Sequence, residues 1–357
     1  MPIQTPSRPP LDPRQRALRF AAIGGVAIVA VAAFGYVGGW LAPHRLTPER
    51  IVDALQHNGG DHPGFRRNHA KGVCVTGVFE GSGAAANLSK ASVFEQGQQT
   101  PVLGRLALPG GNPYAPDGSI PIRSFALRLA LPDGQQWRTG MNAMPVFPVS
   151  TPQAFYDQQL ATAADPSTGK PDPRKVAAFF AAHPETKPFL TWVKTAKPSA
   201  SYATEAYSSI NSFYFVDGKG DKQAVRWALI PEATDAAPGP AGDPDYLAAD
   251  LVRRLAAGPL RWHLLVTLAA PGDAIDDAAQ AWSPDHKQID AGTLTVQATE
   301  PQDSGPCRDV NYDPLVLPAG IEGSNDPLLA ARSAAYADSY RRRTTEEARG
   351  LTKESAR

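Results

Sequence analysis

Residues 66–80 read Arg66-Arg67-Asn68-His69-Ala70-Lys71-Gly72-Val73-Cys74-Val75-Thr76-Gly77-Val78-Phe79-Glu80. From Val73 onward, apolar and polar or small residues alternate, the period-two signature of a half-buried strand. Immediately before that strand, one histidine stands among Arg66, Arg67 and Lys71. An imidazole so placed suits proton transfer beside a cofactor whose anionic groups the cations would anchor. It also suits a satisfied core histidine, so the segment sets a β-rich fold and names His69 without fixing its chemistry.

Working outward, turn signals punctuate short β-rich runs: Pro109-Gly110-Gly111-Asn112-Pro113, Pro116-Asp117-Gly118 and Pro132-Asp133-Gly134. Ser124 to Leu129 alternates as a strand, and Ser212 to Val216, the Asp217-Gly218-Lys219-Gly220 turn and Gln223 to Ala228 form a hairpin pattern. With Arg261–Leu268 and Gly292–Val296 the count reaches about eight strands, enough for an antiparallel barrel. Helical periodicity covers Lys175–His183, Asp243–Ala257 and Asp326 to about Glu347, the last two opening on Asp-Pro. The expected class is α+β: an antiparallel barrel with surrounding helices.

No charged residue occurs from Phe20 to Leu41, and a helix needs about 20 apolar residues to cross a bilayer. Arg8, Arg14, Arg16 and Arg19 precede this stretch with Asp12 alone opposing them, which puts the N-terminus in the cytoplasm and the body beyond the membrane. A cleaved signal peptide competes, although the apolar stretch exceeds the usual signal core. The expected organisation is a tail over 1–19, a transmembrane anchor over 20–41, a linker with a short helix over 42–60, a main domain over 61–343 and a polar tail over 344–357.

The 35 Lys and Arg balance 35 Asp and Glu, so no net positive field recommends nucleic acid as a partner. The two cysteines, Cys74 and Cys307, could pair in an oxidising compartment, but sequence does not bring them together, and two separate buried thiols are the simpler expectation.

In the last helix, Arg332, Tyr336 and Arg343 fall at relative angles of about 0°, 40° and 20°, on one face. A guanidinium favours the phenolate form of a neighbouring phenol, and phenolate is an anionic oxygen ligand for ferric iron. An amphipathic helix that buries its tyrosine and displays its arginines fits the same pattern.

Three blocks together resemble the haem catalase family. The first runs from Arg66 to Glu80 with His-Ala-Lys-Gly at 69–72 and continues through Ala91-Ser92-Val93-Phe94-Glu95, Thr100-Pro101 and Arg105. The second comprises Arg123-Ser124-Phe125-Ala126 and Met141-Asn142-Ala143-Met144-Pro145-Val146-Phe147. The third comprises Asp313-Pro314, Pro318-Ala319-Gly320-Ile321-Glu322 and Arg332-Ser333-Ala334-Ala335-Tyr336-Ala337-Asp338. The resemblance covers roughly 61–343, is weak from about 156 to 290, and implies a catalase-like barrel. It implies His69 and Asn142 as catalytic residues, Tyr336 as the axial iron ligand in tyrosinate form, and Arg332 as the residue keeping it ionised. Arg66, Arg105 and Arg343 would pair with haem propionates, and Phe147 and Phe155 would pack at or near a non-covalent haem b. Three positions depart from the pattern: Ala107 stands where the family places a hydroxyl beside the catalytic histidine, Pro148 replaces an aromatic, and Tyr340 replaces a histidine. With the expected short ends, these departures resemble the small catalase-related peroxidase branch.

The implied activity is reduction of hydrogen peroxide or an organic peroxide by an unidentified organic donor, with weak catalase activity. A true catalase, a fatty-acid hydroperoxide rearranging enzyme and a non-enzymatic membrane-anchored haem-binding protein are the alternatives, and the oligomeric state is left open.

Overall fold

The computed structural model describes residues 12–38, 41, 45–235 and 242–351. Residues 1–11 of the expected tail, 39–40 of the expected anchor, 42–44 of the expected linker, 236–241 and 352–357 lie outside them. The chain divides into two units, Met1–Thr47 and Pro48–Arg357.

The first unit carries α1 (Pro13–Val37), whose apolar stretch is long enough to cross a membrane. Asp12 caps it by accepting from the Arg14 N–H, and Pro13 occupies the first helical position, where its missing N–H costs nothing. Residues 13–19, expected as tail, are therefore the first turns of the helix, because the cap and proline precede the apolar run.

In the second unit the opening segment forms β1 (Gly72–Gly81), which pairs antiparallel with β2 (Gln99–Ala107). The sheet continues through β3 (Ser124–Ala130), β4 (Gln136–Asn142) and the two-residue β5 (Tyr207–Ser208). Next in chain order are β6 (Phe213–Val216), β7 (Lys222–Pro231), β8 (Leu260–Leu268) and β9 (Gln288–Pro301). Around the ring, β5 pairs with β7, β7 with β8, β8 with β9 and β9 with β1, closing eight strands into a barrel. Closure removes the open edge that would otherwise invite pairing with another chain. The β6–β7 hairpin extends from this ring and is itself extended by β10 (Ile321–Gly323). Asp217 Oδ1 builds the hairpin turn by accepting from the N–H groups of Lys219 and Asp221.

Aromatic side chains fill the core. Trp227 stacks on Phe213 at 4.3 Å between centroids and meets Trp137 edge-on at 5.2 Å, while Phe125 meets both Tyr207 and Trp262 edge-on. Each such ring contributes about 2–3 kcal/mol by leaving water. The indole N–H of Trp227 is satisfied by Thr139 Oγ1 at 3.1 Å.

Helices of this unit are α2 (Pro48–Gly59), α3 (Pro152–Ala161), α4 (Pro173–Ala182), α5 (Lys187–Val193), α6 (Tyr246–Ala257) and α7 (Pro327–Ala348). With α1 they make seven α-helices among the described residues. Asp326 caps α7 through the Leu328 N–H. Helix α2 buries Ile51, Val52 and Ala54 and joins α7 through Arg342, which donates to Asp53 and Asp338. The expected polar tail from 344 is in part the end of α7: Glu346 pairs with buried Arg67, and Glu347 with Arg308. These charges are exposed on a helical wheel in isolation, and only the approach of the 63–67 segment and of Arg308 gives them partners.

Cys74 and Cys307 form a disulfide, correcting the expectation of two separate thiols. They lie 233 positions apart, so only the return of the chain after β9 to the flank of β1 brings them together.

Candidate active site

A cavity of about 490 Å³ lies among β2, β3, β4, α2, α3 and α7. All nine residues singled out from the sequence line it: Arg66, His69, Arg105, Asn142, Phe147, Phe155, Arg332, Tyr336 and Arg343.

His69 ends the segment before β1 with φ = 55°, in the left-handed region. Asn68 holds this turn by accepting from the His69 and Gly110 N–H groups at 2.9 and 2.7 Å. A non-glycine residue in this region carries backbone strain, which neighbouring contacts must hold in place. Burial, then the charges of Arg105, Arg332 and Arg66, push the imidazole pKa down to about 3. His69 is therefore a neutral base at any ordinary pH, and its Nδ1 is buried without a hydrogen-bond partner. Ala107, at the end of β2, lines the same cavity and carries no group to meet it.

Asn142 ends β4 and pairs in register with Ser124 on β3. Ser124 Oγ donates to Asn142 Oδ1 at 2.5 Å.

On α7, one turn separates Arg332 from Tyr336. Arg332 donates to the Gly140 carbonyl at 2.9 Å and to Asn211 Oδ1. Gly140 is where β4 passes under these groups: a Cβ there would lie 3.2 Å from Arg332 Nη2 and 3.4 Å from Tyr336 Oη. Tyr336 packs beside Cys74, Leu103, Cys307, Val310 and Tyr312.

Arg66, Arg105 and Arg343 also line a second, adjoining cavity of about 420 Å³. None of the three makes a salt bridge among the described residues. Arg66 donates to the carbonyls of Cys307, Arg308 and Val310 at 2.9–3.1 Å. Arg105 donates to the Ala70 carbonyl and Gln302 Oε1, and Arg343 to the Arg308 carbonyl. Gly72 makes room for the second of these, since a Cβ there would lie 2.7 Å from the Arg105 guanidinium carbon. Burial, followed by repulsion from Arg105 and Arg343, holds Arg66 well below the usual arginine range, and burial brings Arg105 down to about 10. Arg343 keeps Nε and Nη2 buried and unpaired. Such an uncompensated cluster favours an anionic ligand.

Phe147 and Phe155, also in the cavity lining, meet at 5.7 Å between centroids. The sequence reading missed α3, on which Phe155 rides, because Thr151-Pro152 is a start signal without a strongly one-sided apolar face behind it. It also missed Asn211, which links Arg332 to Asp326 by donating to Asp326 Oδ2 at 2.7 Å. Ile210 before it adopts φ = 66°, and the Asn211 N–H closes a tight turn on the Ser209 carbonyl at 2.8 Å. No local pattern marks such an asparagine. Tyr312, a second buried phenol in the cavity, was likewise unmarked; burial raises its pKa to about 12, moderated by Arg66 and Arg105.

The residues fit a haem. The cavity is of cofactor size and apolar on its phenylalanine wall. Arg66, Arg105 and Arg343 make no salt bridge among the described residues, and a phenol and an imidazole with an unpaired nitrogen both line the cavity.

A family model described as Catalase matches residues 40–353. The chain is 38% identical over 336 residues to a catalase-related peroxidase of Synechococcus elongatus, covering 93% of this chain and 98% of that one. It is 33% identical to a catalase-related peroxidase of Mycolicibacterium paratuberculosis, covering 84% and 95%. Its fold matches catalase A of Saccharomyces cerevisiae with a TM-score of 0.70 at 19% identity, over 82% of this chain and 64% of that one. A barrel closed by the strand that His69 precedes, a cavity shared by that histidine and the α7 tyrosine, and a family match across nearly the whole chain lead to one conclusion: this protein belongs to the catalase family.

Proposed function

We propose that the protein is a haem peroxidase that reduces hydrogen peroxide or an organic peroxide at the expense of an organic donor. The observation that carries this reading is the convergence of Tyr336, His69, Asn142 and the three salt-bridge-free arginines on one cavity. Haem b, when bound, supplies the two-electron chemistry that splits an O–O bond and passes the demand for electrons to the donor. Tyr336 would hold the iron through its phenolate oxygen, with Arg332 alongside as the compensating cation. Arg66, Arg105 and Arg343 would pair with the propionates, and Phe147 and Phe155 would pack near the ring. Attachment is non-covalent, since both cysteines are engaged with each other.

His69 would accept a proton from one peroxide oxygen and return it to the departing one, which leaves as water from hydrogen peroxide and as an alcohol from an organic peroxide. Its depressed pKa keeps it unprotonated before the peroxide arrives. Asn142 donates its amide hydrogens to the bound peroxide and holds it in line. The complete cycle consumes two protons and two electrons per peroxide and yields two oxygen-bearing products, water and either water or an alcohol.

The unpaired Nδ1 of His69 beside Ala107 favours peroxidase chemistry over rapid dismutation, because nothing at that nitrogen fixes the imidazole. Helix α1 and the disulfide support a body anchored on the extracytoplasmic side with the N-terminus in the cytoplasm.

The test uses the full chain in detergent, loaded with haem. Donor oxidation by peroxide is expected, with little oxygen evolution, and Tyr336→Phe should abolish the ferric absorption spectrum of the wild type. Rapid oxygen evolution without donor oxidation would instead identify a true catalase. Turnover of a lipid hydroperoxide with no donor present would identify a rearranging enzyme, and unchanged peroxide reactivity in His69→Ala would point to haem binding without catalysis.

A further inference from the structure

Ala107, Ser124 and Asn142 stand side by side on three consecutive strands, Ala107 opposite Ser124 and Ser124 opposite Asn142. Directly opposed residues of antiparallel strands point to the same face with Cβ atoms about 5 Å apart, so the three form one row. All three line the cavity with His69. Within this row of three, the hydroxyl belongs to Ser124, which is only 6% exposed.

That hydroxyl is turned toward the amide. Ser124 Oγ donates to Asn142 Oδ1 at 2.5 Å, and Asn142 makes no other side-chain hydrogen bond among the described residues. With its oxygen engaged, the amide presents Nδ2 and its two hydrogens to the cavity. The imidazole, by contrast, keeps an unpaired Nδ1. The row thus fixes the hydrogen-bond donor and leaves the base unfixed.

We propose that Ser124 is a positioning residue for peroxide reduction: its hydroxyl locks the Asn142 amide with Nδ2 toward the bound peroxide. This rests on the haem peroxidase reading and adds a residue to it. A free primary amide can rotate to offer its oxygen, which would repel the peroxide oxygen instead of donating to it. Loss of one such hydrogen bond is felt in the reaction only insofar as it misdirects Asn142.

The experiment compares haem-loaded full-length wild type with Ser124→Ala, Ser124→Thr, Asn142→Ala and the Ser124→Ala/Asn142→Ala double variant. Two quantities are read: the second-order rate of peroxide consumption, and the C–O stretching band of carbon monoxide on the reduced haem, which senses donors near the bound diatomic. Ser124→Ala is expected to slow peroxide consumption roughly three- to tenfold, the worth of one net hydrogen bond, and to shift or split the band. Threonine keeps the hydroxyl and should restore both, and in the Asn142→Ala background Ser124→Ala should change neither. Ser124→Gly serves as a second truncation if the alanine variant does not fold. A wild-type rate and band in Ser124→Ala, or an equal loss with and without Asn142, would overturn the assignment while leaving the peroxidase reading intact. A wild type that binds no haem or consumes no peroxide would overturn both.

Discussion

Replacing Cys74 and Cys307 together by alanine is expected to destabilise the barrel unit and to loosen its grip on haem. The bridge spans 233 positions, and the loop-entropy expression gives about 5 kcal/mol for a closed loop of that size. That is an upper figure, because a chain this long keeps residual structure when unfolded. Alanine is the better probe than serine: Cys74 and Cys307 are only 1% and 0% exposed, and a serine hydroxyl there would add the cost of an unpaired polar group. At about 2 °C per kcal/mol for a domain of this size, the melting temperature should fall by about 10 °C.

The second effect follows from what the bridge holds. Cys307, Arg308 and Val310 supply the three carbonyls that aim Arg66, and Arg308 also accepts from Arg343. Circular-dichroism melts of the full chain, oxidised and reduced, give the first quantity, and the rate of haem transfer to an apo-globin scavenger gives the second. A melting temperature within 2 °C of wild type would refute the loop argument. Unchanged haem transfer would refute the dependence of the arginine cage on the bridge.

Arg343→Leu should lower haem affinity at least tenfold by spectrophotometric titration while leaving the apoprotein as stable or more so, since it removes a buried, partly unpaired cation. Gly140→Ala should leave the fold intact but shift the visible spectrum, because the added Cβ would crowd Arg332 Nη2 at 3.2 Å and touch Tyr336 Oη at 3.4 Å. Between pH 8 and pH 5 peroxide consumption should show no acid limb from His69, which stays neutral down to about pH 3; a titration near pH 6.5 would refute its burial among cations. The same shift has a stability consequence: the unfolded imidazole binds a proton below its ordinary pKa and the folded one does not. Its contribution is therefore present above pH 6.5 and fades as pH falls toward 3, measurable by urea denaturation of the apoprotein.

The strand that follows His69, the hairpin at Asp217-Gly218, the cap of α7 and the one-sided stripe of Arg332, Tyr336 and Arg343 were legible in the sequence. Each is local: alternation, turn chemistry and helical angle act over a few residues, and the chain writes them directly. Nine site residues were named from motifs, and the fold brings all nine to one cavity. What the sequence did not give are the partners. The two-residue β5 that completes the barrel is too short to leave a pattern, and the disulfide, the Arg67–Glu346 pair and the Asp326–Asn211–Arg332 chain join residues that meet only when the barrel closes. The unpaired Nδ1 of His69 and the turn of Ser124 toward Asn142 are also products of closure, because strand register decides which hydroxyl reaches which neighbour. The sequence by itself determined the longer strands, the last helix and the chemistry of the groups they carry. Tertiary structure decided their pairing, since burial turns a nearby arginine or a missing hydroxyl into a shifted proton affinity or an unfixed base.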